Sequence, residues 1–179
     1  MTSATPSGNL GNLEVLELFE SLARCVWEWL RDARRLRVGL SEETITDLTS
    51  LEILRRPSAQ VRVGRVSKRE EKDVGFDWLW VFWRGDRIKH VLVVQAKKLT
   101  LDDSCSYRYA KLRYPSQAPF QIDAIEAFAK WLGVPAFYCF YNNVDDTTAS
   151  KHWRCSPPLD APQLGCTLVP LDLVRPVHD

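Results

Sequence analysis

Three polar side chains stand at the ends of two apolar runs: Asp77, Gln95 and Lys97. Asp77 lies within residues 75–83 (GFDWLWVFW), and Gln95 and Lys97 end residues 88–97 (IKHVLVVQAK). Both runs are rich in Val, Ile, Phe and Trp and read as β-strands. Strand side chains alternate faces, so Gln95 and Lys97 project together while Ala96 points away. A carboxylate, an amide oxygen and an ammonium then meet where polar groups are costly unless they have work to do. As chemistry, the set offers hard oxygen donors for a divalent cation and a positive charge to steady a developing anion.

For these residues to share one ion, Asp77 and Gln95 must face the same side of the sheet, and register parity decides that. A regular two-residue turn at Gly85-Asp86 pairs Arg84 with Arg87 and sets Asp77 opposite Val94, the wrong face. An odd loop, or the two-residue loop with one bulge, sets Asp77 opposite Gln95. An odd loop or a bulge between Trp83 and Val91 is therefore expected.

The pattern Asp-x(n)-Gln-x-Lys, carried by Asp77, Gln95 and Lys97, resembles the active-site signature of the PD-(D/E)xK, or restriction-endonuclease-like, nuclease superfamily. The likeness is to the variant with Gln in place of the second acid, as in Mrr-type restriction enzymes. It spans roughly residues 41–142. The resemblance implies a DNA-cleaving nuclease using Mg²⁺ or Mn²⁺, set in bacterial restriction or anti-phage defence. Asp77, Gln95 and the Ala96 carbonyl would be the metal ligands, with Lys97 orienting water or neutralising transition-state charge. Gln95 leaves the site one negative charge short, and the superfamily often takes a further acid from its first core helix. On a wheel of the helix opening at Ser41, Glu43 flanks the Ile45/Leu48/Leu51 stripe, with Asp47 in reserve, whereas Glu42 lies almost opposite. Glu43 is thus the expected fourth ligand. The plainer reading is that Glu42 and Glu43 complement the helix dipole.

Gln121 falls on the buried face of a later helix, in its first turn, and is expected to reach the site or the substrate phosphate. Tyr109, Lys98 and Lys111 are candidate substrate contacts, against the reading of solvated loop residues. Arg55, Arg56, Arg62, Arg65, Lys68, Arg69, Lys72, Arg108 and Arg113 add a local basic stretch for phosphates, diluted by Glu70, Glu71 and Asp73. His152, Cys155, Cys166 and His178 fit no strong zinc spacing. The alternative to a nuclease is an inactive nuclease-like domain that binds nucleic acid or a protein partner, and RNA cleavage is the rival to DNA cleavage. A homodimer or further domains of a longer protein are the other associations left open.

The positioning elements follow from periodicity. Apolar residues at 15, 18, 19, 22, 26, 29, 30, 33 and 36 predict a long helix closed by Gly39. A second helix runs from the Ser41 N-cap through Ile45, Leu48, Leu51 and Leu54 and stops before Pro57. Residues 61–66 alternate as a strand, and 67–72 and 100–116 read as loops. A helix at about 118–132, capped by Gly133, leads to a buried strand at 134–142. Residues 143–162 read as loop and 166–169 as a last strand. This order predicts an α/β fold with a mixed central sheet flanked by helices, consistent with the restriction-endonuclease-like core. Residues 1–10 are expected to be disordered and 11–179 to form one domain. The strand-like run so near Asp179 suggests a longer natural chain.

The 179 residues, 45% of them hydrophobic, suffice for one core. With 26% charged residues and a net charge of +1, no global basic field exists and any nucleic-acid footprint must be local. The cysteines Cys25, Cys105, Cys139, Cys155 and Cys166 form no Cys-x-x-Cys, which favours a reducing cytoplasm over a disulfide framework. No secretory leader and no membrane span are expected.

Overall fold

The computed structural model describes residues 10–56, 60–67, 74–101, 107–109, 112, 120–154, 156 and 158–178. Two helices come first, α1 (Leu10–Leu36) and α2 (Glu42–Leu54), followed by β1 (Val61–Arg65), β2 (Trp78–Arg84), β3 (Arg87–Leu101) and the short β4 (Tyr107–Tyr109). Then come α3 (Gln121–Leu132), β5 (Ala136–Tyr141), α4 (Asp146–His152), a 3₁₀ turn at Ala161–Gly165, β6 (Cys166–Pro170) and α5 (Leu171–His178). The sheet order is β1-β2-β3-β5-β6, and β4 pairs with the far end of β3. Among the described residues only the β3–β5 pairing is parallel, with α3 as the crossover. The fold is therefore α/β, a mixed sheet flanked by helices.

Alternation along the strands sorts the core into two layers. Val93, Tyr138 and Phe140 pack with Phe76 against Ile122, Ile125 and Ala129 of α3 and Leu171 and Val174 of α5. Trp78, Trp80, Val94, Ala96, Cys139 and Tyr141 point the other way, against Val26 and Leu30 of α1 and Ile45 of α2. Fully burying a side chain of this size stabilises by about 1.5–3 kcal/mol, so these two layers dominate the favourable side of folding.

The β2–β3 hairpin decides where the polar ends of the strands fall. Its turn is the two-residue Gly85-Asp86, with Arg84 opposite Arg87 and Gly85 at φ +65°, where glycine is at ease. Trp83 pairs with Ile88, but Phe82 pairs with His90, which leaves Lys89 as a single bulged residue. From there Trp78 stands opposite Val94, so Asp77 comes level with Gln95. The bulge expected from parity is present.

Several boundaries differ from the sequence reading. Gly39 does not close α1; Arg37 does, at φ 56°, with the Val38 N–H donating to the Ala33 carbonyl at 2.8 Å. The expected loop at 143–162 contains α4, started by Asp145, whose carboxylate accepts from the Thr148 N–H at 2.8 Å. The expected loop at 100–116 contains β4, and a helix, α5, follows the last strand. These elements are short and lack a long apolar stripe, so periodicity carried no signal for them. The disorder expected for residues 1–10 and the loop at 68–72 fall outside the described residues, except that Leu10 opens α1. Among the described residues no helix is long and apolar enough to cross a membrane.

Candidate active site

β3 pairs with β2 as far as Val94 and with β4 from Leu99 onward. Between these stretches its backbone N–H groups turn to carboxylates. The Ala96 N–H donates to Asp77 Oδ2 at 2.7 Å, and the Lys98 N–H donates to Glu42 Oε2 at 2.6 Å. Two acids from separate elements are thus anchored side by side along one strand. Gln95, fully buried, donates its Nε2 to the same Asp77 Oδ2 at 2.7 Å and to the Ala96 carbonyl at 3.0 Å. Gln121, in the first turn of α3, donates in turn to Gln95 Oε1 at 3.1 Å.

Lys97 shares the face of Gln95. Its side chain is only 6% exposed, and its ammonium lies 3.9 Å from Glu42 Oε1. A buried ammonium is expensive unless a charge compensates it, so Glu42 sets the place of Lys97. Glu42 and Asp77 open into a pocket of about 440 Å³ that is also lined by Glu43, Thr46, Asp47, Arg65 and Ser67. Arg65, at the end of β1, is ion-paired with Asp47 there. A larger groove, about 660 Å³, lies by the start of β5 between α3 and α5 and contains none of these groups.

The two acids that open α2 are placed differently. Glu42, not Glu43, meets Lys97 and Lys98, while Glu43 is exposed on the pocket rim. The cause is the rotation of α2. Its buried side is Ile45, Thr46, Thr49, Ser50 and Ile53, whereas Leu51 and Leu54 are 43% and 51% exposed. Each buried hydroxyl donates to the carbonyl four residues back: Thr46 to Glu42, Thr49 to Ile45 and Ser50 to Thr46. With that bond made, Thr and Ser bury at little cost, and the polar side of the helix becomes its inner side. Tyr141, buried at the end of β5, fixes the rotation. Since the Thr46 hydroxyl proton goes to Glu42, the Tyr141 hydroxyl donates to Thr46, at 2.9 Å. Burial pushes the Tyr141 hydroxyl far up, so it stays a neutral donor.

Gly75 is a second residue the sequence reading passed over. It sits at φ +79°, and a Cβ there would lie 2.6 Å from the Gln121 carbonyl and 2.7 Å from the Ile125 nitrogen. Only glycine lets the chain entering β2 press against the first turn of α3, which brings Gln121 within reach of Gln95.

Of the expected substrate contacts, Lys98 lies on the opposite face from Gln95 and Lys97, its ammonium donating to the Leu40 carbonyl at 2.5 Å. That bond ties β3 to the α1–α2 connection. The side chain of Tyr109 and the whole of Lys111 fall outside the described residues, as do Cys155 and the side chains of His152 and His178. Among the described residues no group of three or more His, Cys, Asp or Glu is placed to hold a metal ion. The oxygen donors suited to a hard cation are the Asp77 and Glu42 carboxylates and the Ala96 carbonyl, with the Gln95 amide among them. Asp77 Oδ2 and the Ala96 oxygen lie 2.7 and 3.0 Å from one Gln95 atom, so they converge on a single point. Carboxylate, amide and carbonyl donors fit Mg²⁺ or Mn²⁺ and do not fit a soft metal.

Comparison with curated proteins finds no match. A family model matches residues 15–178, nearly the whole of the described fold and every residue of the cluster. On that match the chain belongs to a family of unknown function, DUF6615.

Proposed function

We propose that this protein is a metal-dependent nuclease of the PD-(D/E)xK type, acting on DNA in the cytoplasm, in a bacterial restriction or anti-phage setting. The observation that carries the reading is the meeting of Asp77 Oδ2 and the Ala96 carbonyl at the Gln95 amide, beside the buried Lys97–Glu42 pair. Asp77, the Ala96 carbonyl and Glu42 would hold Mg²⁺ or Mn²⁺, and Gln95 joins them once its oxygen faces inward. Bound there, the ion supplies an activated water and charge neutralisation at the phosphate. Lys97 donates to the oxygen on which negative charge develops, in a site dry enough to make that contact strong. Glu42 keeps the Lys97 ammonium aimed at the site. Arg65 lines the same pocket, where its guanidinium would meet a phosphate of the substrate backbone.

A second reading, a domain that has lost catalysis and binds nucleic acid or a protein, is favoured by the way Gln95 turns its NH₂ towards Asp77. The test incubates plasmid, linear duplex, single-stranded DNA and RNA with Mg²⁺ or Mn²⁺, using wild type, Asp77→Asn and Lys97→Ala. Wild type should cleave, EDTA should stop it, and each variant should lose ~10²-fold or more in rate while keeping its fold. Cleavage that persists in EDTA would rule out the metal mechanism. Mn²⁺ binding without cleavage of any substrate would favour the second reading.

A further inference from the structure

We infer that Gln121 is a positioning residue that sets which way the Gln95 amide faces, and that the two amides turn over as a pair when the acids take up a divalent cation. The inference rests on the metal-site reading above. Both side chains are buried, Gln95 at 0% and Gln121 at 8% exposure. Their hydrogen bonds run one way. Gln121 donates to Gln95, and Gln95 donates to Asp77 and to the Ala96 carbonyl, with 3.1, 2.7 and 3.0 Å separations. In this polarity the Gln95 N–H groups cover the two oxygens that suit a cation.

For Gln95 to offer its own oxygen it must make a half-turn about its last side-chain bond, which brings its NH₂ round to Gln121. No bulk water reaches this position to relieve a mismatch, so Gln121 must then accept. An amide can do that by the same half-turn, because its oxygen and nitrogen are nearly equal in shape and opposite in role. Glu could only accept and Lys could only donate. Two glutamines in contact are therefore a relay with two states that both keep the Gln95–Gln121 bond, one closed over Asp77 and one open to a cation. The backbone of Gln121 is held while this happens, since Gly75 packs within Cβ-contact range of its carbonyl.

The test is a double-mutant cycle read by Mn²⁺ affinity, with no substrate present. Gln121→Glu is a fixed acceptor and holds Gln95 in the open polarity, but it also adds a charge. The same change in a Gln95→Met background measures that charge alone. The gain in affinity from Gln121→Glu should be about tenfold larger with Gln95 present than with Met, one hydrogen bond's worth. Equal gains in the two backgrounds would overturn the inference. Should Gln121→Glu fail to fold, the wild-type protein decides by itself. The side-chain amide ¹H–¹⁵N signals of Gln95 and Gln121 should move together as Mg²⁺ is added. A shift of Gln95 with Gln121 unmoved would sink the paired turn and leave the metal site standing. No binding of either ion to wild type would sink both.

Discussion

Glu42 serves two neighbours at once. One carboxylate oxygen takes the Lys98 N–H and the other faces the Lys97 ammonium, whereas Glu43, next to it in sequence, stays on the rim. From this geometry Glu42→Gln should lower activity ~10²-fold, because the amide cannot balance the buried ammonium, while Glu43→Gln should lower it less than about tenfold. Cleavage assays on both variants at equal purity decide it; a larger loss from Glu43→Gln would return that residue to the first rank. Asp77, Gln95 and Gln121 were legible in the sequence because two rules bear on them, strand alternation and the helical wheel. Glu42 was not. Its position depends on Thr46, Thr49 and Ser50 being buried, and nothing in residue type alone says that a hydroxyl will spend its proton on its own helix.

At the scale of elements, the hairpin and the entry to β2 do the aligning. The Lys89 bulge makes an otherwise even hairpin odd, and parity showed that such a device was needed without showing which residue would bulge. Deleting Lys89 should be tolerated: the hairpin becomes regular, Phe82 still meets His90, and Asp77 stays level with Gln95. Retained activity in that deletion is the expected result, and loss of activity in a protein that still folds would mean that the bulge does more than count. Gly75→Ala should have the opposite outcome. Its Cβ would collide with backbone of α3, at a cost of about 1–3 kcal/mol in stability plus a displaced Gln121. Thermal unfolding together with Mn²⁺ affinity measures both effects, and a Gly75→Ala protein unchanged in either would show that the contact is not needed. The long apolar elements were readable by period, whereas α4, β4 and α5 depend on caps and pairing that short sequences do not reveal.

For the whole molecule, the two layers of core are ordinary and the sheet's polar break is not. Ala96 and Lys98 sit where β3 has left β2, and their N–H groups are satisfied by Asp77 and Glu42 in place of a neighbouring strand. An exposed row of unpaired N–H groups is a template on which another chain can add a strand. The acids of the proposed site therefore also keep β3 from recruiting one, and their loss would be felt as stickiness as well as loss of the proposed activity. The double variant Asp77→Ala/Glu42→Ala should show concentration-dependent self-association in sedimentation velocity, beyond that of Asp77→Asn/Glu42→Gln, whose amide oxygens can still accept. Identical sedimentation of the two would show that this stretch of β3 is shielded by something else. Activity lost on alanine substitution would then mix a missing ligand with a changed assembly, and the amide variants separate the two.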